Sequence, residues 1–371
     1  MAMELASWVE RFGTAAVLAM GGAAIGALFG FCAQRSRFCL RAAVIEFWHG
    51  KFGEKLSVWL LTFATAVVAV QGLVLLGWLD VGGARQLSNR GSLSGALVGG
   101  LLFGGGMIMT RGCASRLLVL SANGNLRALL SGLVFAVTAQ AALSGSLAPL
   151  RSAISSGWTV DGGAARNVLT RMGGGPWDGL AMGIVWLAVA IFFAHRTANR
   201  VWMWLGGIGT GLAVALAWWF TYAVSQASFS AEAVQMQGLT FSGPSAEWLM
   251  RVLVNPAPAF GFDAGMLPAV FAGSFLGALV GREWKVEGFK DGYSMARYIV
   301  GAMLMGFGSM LAGGCAVGAG LTGGAIFAIT SWVTLAGMFV GGGLMDRLLA
   351  EPVQTAQPPT QQAPVVVPLA P

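Results

Sequence analysis

The sequence has little charge, few histidines and few cysteines. Charged residues make up only 10% of its 371 residues, against roughly 25% in a soluble domain, so the chain lacks the polar surface that a water-soluble protein needs. Its four cysteines form no C-x-x-C pair, which argues against a zinc ribbon, an iron–sulfur site and a thioredoxin-like redox pair. The N-terminal residues 1–11 lack the basic region of a secretory signal. We expect neither a bound metal nor a cofactor.

Long apolar runs occupy most of the chain. Hydrophobic residues make up 56% of the sequence and the mean hydropathy is +0.72; about 20 apolar residues are enough to span a bilayer. The sequence therefore predicts an all-α polytopic membrane protein in a lipid bilayer. Its net charge of +7 lies largely in short loops, where it orients the helices, and we expect no nucleic-acid partner. Nine spans are predicted, at 13–33, 57–79, 92–110, 126–148, 178–195, 201–223, 266–281, 297–312 and 331–347.

Three apolar segments between these spans are too short to cross a membrane. They lie at 38–47, 113–121 and 315–329. Because irregular backbone at membrane depth survives only where protein or a cavity covers it, we expect these segments to be re-entrant half-helices. Residues 351–371, rich in Pro and Gln, predict a disordered tail.

The basic loops predict an orientation in the membrane. The cytoplasmic loops are expected at 34–55, 196–200 and 282–296. Nine spans then place the N-terminus outside and the C-terminus inside, although loop 149–177, with three arginines, would lie outside against the rule. In this threading, spans 92–110 and 297–312 run in opposite senses, whereas spans 13–33 and 266–281 run in the same sense.

An internal repeat relates two segments that both end just after a cysteine. Segments 99–114 and 301–316 match at three glycines, at the Gly-Cys-Ala end and at an offset of 202 residues. Membrane transporters are commonly built from such repeats, with broken helices where the substrate binds. We therefore divide a single transport domain, residues 1–350, into pseudo-symmetric repeat halves at 13–148 and 266–348 and connecting helices at 178–223.

A fainter repeat relates segments 22–30 and 273–281 at an offset of 251 residues. The difference between the two offsets corresponds to an insertion, which we assign to the helix at 57–79. In this alignment Cys39 is aligned with Lys290, so the third thiol has no counterpart in the other half. The Gly-x-x-x-Gly spacings of this repeat are typical of helix packing.

The two repeated cysteines have neighbours that suit anion binding. Gly112 and Gly314 precede Cys113 and Cys315 where a helix must break. Each thiol then lies near the N-terminus of the next helix, where free N–H groups and the helix dipole favour an anion and lower a thiol pKa. Arg111, a charge within a membrane segment, is a further candidate for anion binding.

Cys39 lies among arginines, and Cys32 does not. Arg37 is a candidate to support anion binding at Cys39, although Arg35, Arg37 and Arg41 also fit positive-inside anchors. A buried cysteine is most often a small apolar filler, which is what we expect of Cys32.

Three segments resemble the signature motifs of the YeeE/YedE sulfur-transport family. They are Gln34-Arg-Ser-Arg-Phe-Cys39, Gly112-Cys-Ala-Ser115 and the long segment from Gly306 to Gly323. The resemblance covers roughly residues 13–348. It implies an inner-membrane protein of nine transmembrane helices and re-entrant half-helices that takes up thiosulfate. It also implies that three cysteines line a central path and bind or relay the substrate, here Cys39, Cys113 and Cys315.

The chain departs from the family pattern at Arg111, where many members have a small residue. Some members carry or neighbour a sulfur-carrier domain of the TusA type. The tail 351–371 is too short and too Pro-rich to be one, so such a carrier would be a separate protein.

The leading hypothesis is an importer, not an enzyme, for thiosulfate or a related sulfur-containing anion. One alternative is a membrane thiol oxidoreductase or sulfurtransferase that uses the cysteines covalently. Others are a transporter for a selenium compound and a structural tether for a soluble sulfur-transfer enzyme.

Overall fold

The computed structural model describes residues 2–228, 234–254, 260–288 and 292–349. The predicted tail 351–371 lies outside them. Nearly all described elements are helical, and the only strands among them are two short antiparallel ones, β1 (Gly91–Ser92) and β2 (Thr159–Val160). The α-helices are α1 (Ala2–Phe12), α2 (Thr14–Ser36), α3 (Leu40–Trp48), α4 (Glu54–Leu75), α5 (Arg85–Ser88), α6 (Leu93–Met109), α7 (Ala114–Ala122), α8 (Leu126–Ser144), α9 (Ala148–Ser155), α10 (Val168–Arg171), α11 (Pro176–Arg196), α12 (Val201–Ala227), α13 (Ser242–Leu253), α14 (Phe262–Gly281), α15 (Gly292–Ala312) and α16 (Ile329–Leu349). A 3₁₀ turn covers Gly163–Arg166 and a π-helix covers Ala316–Gly323.

The protein is an all-α polytopic membrane protein. Within the described ranges, eight helical segments are long and apolar enough to cross a membrane. They are Thr14–Trp48, Glu54–Leu75, Leu93–Ala122, Leu126–Ser144, Pro176–Arg196, Val201–Ala227, Phe262–Gly281 and Ser294–Gly323. The predicted ninth span, 331–347, is helix α16, which has 21 residues and so is long enough. Its hydroxyl side chains, its glycines and the pair Asp346 and Arg347 lower its hydropathy, which leaves it outside the eight.

Three short helices follow breaks in longer ones, as the sequence predicts. Helices α3 and α7 begin one residue after Cys39 and Cys113 and lie within two residues of the predicted segments. The third begins after Cys315, but it is a π-helix that ends at Gly323, so the predicted extent to residue 329 is too long. Single-turn π geometry inside helical proteins occurs frequently at functional sites.

Helices α6 and α15 pack closely where they cross, at glycines that are related by the internal repeat. A Cβ added at Gly106 would lie 2.5 Å from the carbonyl oxygen of Gly301, and one added at Gly308 would lie 2.7 Å from that of Gly99. The repeat offset of 202 residues relates Gly106 to Gly308 and Gly99 to Gly301, so each contact is the repeat equivalent of the other. The two helices are therefore antiparallel and related by an approximate two-fold axis, and the predicted opposite senses are confirmed.

Helices α2 and α14 pack in the same sense, as predicted. A Cβ at Gly22 would collide with the carbonyl oxygen of Phe262, and one at Gly26 with that of Met266, so the contacts advance together along both helices. The offset of the fainter repeat does not exchange these contacts. Its glycines are packing glycines, and they carry no second symmetry axis.

The antiparallel crossing of α6 and α15 sends their two cysteine breaks to opposite ends. Helix α6 leads into Cys113, and helix α15 leads into Cys315. A hydrogen bond from Arg116 to Gln34, at 3.4 Å, brings the C-terminal end of α2, and with it Cys39, to the first of these ends. We call the two ends the Cys113 end and the Cys315 end.

Candidate functional site

The backbone forms the same break before each of three cysteines. Two residues before the cysteine, the chain adopts the left-handed conformation, and the next N–H bonds to the carbonyl five residues back. This is the Schellman closure of a helix. The left-handed residues are Arg37 (φ 54°), Arg111 (φ 58°) and Gly313 (φ 76°). The closing bonds run from Phe38 to Ala33, from Gly112 to Met107 and from Gly314 to Ser309, at 3.1, 3.1 and 3.0 Å.

Each cysteine is then the extended residue immediately before the next helix. The sequence predicted this position for Cys113 and Cys315. It did not predict that Cys39, which has no partner in the repeat, has the same local geometry. A left-handed residue can be recognised in a sequence when it is a glycine, because a non-glycine residue in this conformation costs roughly 1–2 kcal/mol. Of the three left-handed residues, only Gly313 is a glycine, so the sequence does not indicate the other two.

Cys113 is fully buried. Its Sγ is 3.4 Å from Ser115 Oγ. It is also within electrostatic range of both Cys39 and Cys315. Cys113 is therefore near both of the other predicted thiols.

Arg116 extends a polar network from Cys113 towards the surface. Its Nη1 donates to Gln34 Oε1 at 3.4 Å, and the Nε2 of the buried Gln34 donates to Glu283 Oε2 at 2.8 Å. The other oxygen of Glu283 accepts from Arg37 at 2.8 Å. Arg116 is also within electrostatic range of Cys39.

Cys39 is half-buried among cations. Arg41 is within electrostatic range of Cys39, Arg111 and Arg297. The Cys113 end thus carries more positive charge than Arg37 and Arg111, which the sequence analysis chose. Arg116 flanks Cys113 in the sequence but was not chosen, and Arg297 was missed. Residue type alone does not separate a buried arginine from an orienting one.

The residues chosen to support anion binding have identifiable roles in the breaks. Arg111 is exposed and Arg37 is 56% exposed and paired with Glu283, so both stand at the rim of the site. Gly112 and Gly314 are buried, and their N–H groups close the preceding helix. Anion binding by these four residues stays a prediction.

Cys315 is surrounded by neutral donors. Its Sγ accepts the backbone N–H groups of Phe241 and Gly318, both at 3.4 Å, and lies 4.0 Å from Thr240 Oγ1. Thr240 and Phe241 come from the segment before α13. This segment is held by Thr322, whose hydroxyl donates to the carbonyl of Leu239. The contact of Cys315 with Thr240 and Phe241 could not be predicted from the sequence, because some 75 residues separate the partners.

A polar cavity of about 710 Å³ opens at the Cys315 end. Gly313 and Thr240, the neighbours of Cys315, contribute to its wall. Its charged lining residues are Arg85, Arg90, Arg151, Arg166, Glu247 and Asp263. Because the cations outnumber the carboxylates, the cavity favours anions.

Arg166 explains part of the basic loop that breaks the charge rule. The residue is 6% exposed, and its guanidinium donates to the carbonyl of Asn89 at 2.7 Å and to Thr330 Oγ1 at 2.6 Å. Burial lowers the pKa of this group. The arginine therefore joins the loop to α5 and α16, which is a structural reason for a cation at this position.

Cys32 takes no part in the site. It is buried between α2 and α12, where a Cβ added at Gly209 would lie 2.5 Å from its Sγ. The expected role as an apolar filler agrees with this packing.

Comparison with known proteins gives one family and two similar curated proteins. The model of the sulphur transport family matches residues 35–344. A protein named thiosulfate transporter TsuA from Escherichia coli K12 is 25% identical over 344 residues, which cover 87% of this chain and 92% of that protein. A second protein of that name, from Spirochaeta thermophila, is 26% identical over 341 residues, covering 88% of this chain and 98% of that protein.

Proposed function

Because the chain belongs to the sulphur transport family, we propose that it imports thiosulfate or a related sulfur-containing anion across the inner membrane. The proposed path is lined by Cys39, Cys113 and Cys315. The observation that carries the proposal is the shared geometry of the three breaks, which presents each thiol at the start of a short helix. The names of the two similar proteins give the same substrate class.

The anion enters through the arginine-lined cavity and moves from one thiol to the next. At Cys315 the backbone N–H groups and the hydroxyl of Thr240 are neutral donors for part of its hydration shell. Cys113, within electrostatic range of both other thiols, receives it next, and Cys39 releases it. Binding must stay weak at each step so that the ion can leave.

The thiols act as neutral hydrogen-bond donors in this mechanism. A soft S–H group donates to the terminal sulfur of the anion while N–H groups hold its oxygens. Three thiolates would repel a dianion instead, since like charges in a medium of low dielectric interact strongly. The helix N-termini therefore bind the oxygens more than they ionise the thiols.

Uptake of radiolabelled thiosulfate into proteoliposomes tests the proposal. We expect Cys39→Ala, Cys113→Ala and Cys315→Ala each to abolish uptake in a folded protein. Cys32→Ala is the matched control, because it removes a buried thiol outside the site, and it should transport like the wild type. Wild-type uptake by all three site variants would rule the mechanism out.

Serine variants separate this proposal from a covalent one. A hydroxyl donates a hydrogen bond but carries no persulfide, so partial uptake by Cys315→Ser supports transport by hydrogen bonding. Complete loss in every serine variant, with sulfur recovered on the wild-type protein, would favour a sulfurtransferase.

A further inference from the structure

We propose that Arg116 binds the oxygen atoms of the transported anion between Cys113 and Cys39, and that Gln34 and Glu283 hold its guanidinium there. This inference rests on the proposed function, because it assigns a residue to the path that the three thiols line. It replaces Arg111 as the principal cation of the site.

Arg116 makes no direct ion pair with a carboxylate of the described residues, although Glu283 lies within electrostatic range. Among the described residues, no Asp or Glu oxygen lies within ion-pair distance of its guanidinium. Its side-chain partner is the neutral amide oxygen of Gln34 at 3.4 Å. A buried or partly buried charge is normally paired, and a guanidinium has five N–H donors. Arg116 therefore has donors and charge available for a ligand.

Arg37, Arg127 and Arg111 differ from Arg116 in this respect. Arg37 pairs with Glu283 at 2.8 Å, and Arg127 pairs with Glu287 at 2.9 Å. Arg111 is exposed, so water screens its charge. Arg116 is partly buried, forms no direct ion pair within the described part of the chain, and is within electrostatic range of both Cys39 and Cys113.

The break itself does not require an arginine at this position. Arg116 is three residues after Cys113, and Gly318 is three residues after Cys315. In the second copy the backbone N–H of Gly318 bonds to the Cys315 sulfur at 3.4 Å. Because glycine forms the same break, the side chain of Arg116 is available for another function.

Arg116 and the neighbouring thiols together favour an anion that has both oxygen atoms and a terminal sulfur. The planar guanidinium binds two oxygens of one oxyanion together, and the neighbouring thiols donate to a soft terminal sulfur. An anion that lacks this sulfur, such as sulfate, makes only the first contact. Arg116 thus contributes affinity for the oxygens, and the thiols contribute the preference for a sulfur-terminated anion.

Gln34 and Glu283 are positioning residues. The Gln34 amide faces Arg116 on one side and Glu283 on the other, which fixes the direction of its oxygen. Gln34→Glu would place a carboxylate against the guanidinium and compete with the anion. The new carboxylate would face three charged groups, Arg116, Glu283 and Arg37. As pH falls and this carboxylate is protonated, the effect of Gln34→Glu on anion binding should weaken.

The test measures KM and Vmax for thiosulfate in proteoliposomes. Arg116→Gln should raise KM about tenfold or more, because hydrogen bonds to charged groups are among the strong ones. Arg116→Lys keeps the positive charge but lacks the planar guanidinium that binds two oxygens together. Its KM should therefore lie between those of Arg116→Gln and the wild type. Gln34→Glu should raise KM at neutral pH and recover towards pH 5. Arg127→Gln is the control, because it removes a cation at the same end that is already paired.

Each outcome separates this inference from the proposed function. If KM in Arg116→Gln and in Arg116→Lys stays within twofold of the wild type while Cys113→Ala is inactive, the thiol path holds and the role of Arg116 is overturned. If Arg116→Gln does not fold, Arg116→Lys and the pH profile of Gln34→Glu decide. If uptake is independent of all three cysteines, the thiol path on which this inference rests is wrong, and if the wild type takes up no thiosulfate, the proposed function itself is wrong.

Discussion

The Cys113 end and the Cys315 end share one backbone and differ in their chemistry. Both have a left-handed residue two positions before the cysteine and a Schellman closure of the preceding helix. The Cys113 end adds the hydroxyl of Ser115 and the cation Arg116 from its own helix. The Cys315 end receives Thr240 and Phe241 from a distant segment and has only neutral donors next to its sulfur.

This difference suits an ion that must move on from each site. In the proposed path, the neutral thiol site beside the cationic cavity would bind the ion loosely, and the cation Arg116 would attract it towards Cys113. Two equal, strongly charged sites would hold the ion too long for conduction. The repeat thus supplies the geometry twice, and the residues that follow each cysteine make the two sites unequal.

The largest effect should come from the glycine crossing that both ends depend on. Gly106→Ala and Gly308→Ala each push a Cβ to within 2.7 Å of a backbone carbonyl, so each should destabilise the fold by about 1–3 kcal/mol. The two-fold relation predicts nearly equal effects. Thermal unfolding in detergent measures both.

The control for this pair is Gly132→Ala in α8, where an added Cβ meets nothing within 4 Å. It should be neutral or stabilising by up to about 1 kcal/mol, since alanine is the better helix former. If Gly106→Ala and Gly308→Ala differ by more than the measured error, the contacts are not related by the two-fold axis.

Much of this architecture could be predicted from sequence. Hydropathy located the long helices, and the glycine pattern located the repeat, because both are local properties of the chain. The π-helix ended earlier than the predicted segment, since four glycines among residues 318–324 give no periodicity to follow. The break at Cys39 was predicted, but its shared backbone geometry was not, because Arg37 and Arg111 are not residues that indicate a left-handed backbone.

An intermediate effect should come from the hydroxyl beside each thiol. Ser115→Ala and Thr240→Val remove the groups at 3.4 and 4.0 Å from the sulfurs of Cys113 and Cys315. A neutral hydrogen bond contributes about 1 kcal/mol, so thiosulfate uptake should fall about fivefold in Ser115→Ala and less in Thr240→Val. Initial uptake rates in proteoliposomes measure both.

Ser121→Ala is a suitable control, since its hydroxyl bonds only to the backbone of its own helix. A larger loss of uptake in Thr240→Val than in Ser115→Ala would contradict this order. It would mean that the neutral Cys315 end binds the anion more tightly than the Cys113 end.

The site was less predictable than the fold. The cysteines could be found because a repeat pointed to two of them and a family motif to all three. Their surroundings could not, because Thr240 reaches Cys315, and Gln34 reaches Arg116, only through tertiary contacts. The choice between Arg111 and Arg116 also needed the structure, because burial and pairing decide whether a cation is available to an anion.

The smallest effect should come from the links that follow the two short helices. After α7, Leu126 N–H bonds to the carbonyl of Glu287, whose carboxylate accepts from Asn125 and Arg127. At the equivalent place in the second copy, the link is a backbone bond from Val168 N–H to the carbonyl of Phe327. Only the Cys113 end therefore has a charged link at this position.

Glu287→Gln should lower stability by less than about 1 kcal/mol, as is usual for exposed ion pairs. The hydrogen bond from Lys285, with Arg127 nearby, holds the pKa of Glu287 below its usual range. A lowered folded-state pKa stabilises the protein above the unfolded value of about 4.3, and this contribution disappears as pH falls through the folded value. The difference in unfolding temperature between the wild type and Glu287→Gln should be present at pH 7 and vanish below about pH 4. A difference that is constant across this range would show that the carboxylate's charge does not strengthen the link, and that the two ends are joined equally by backbone bonds.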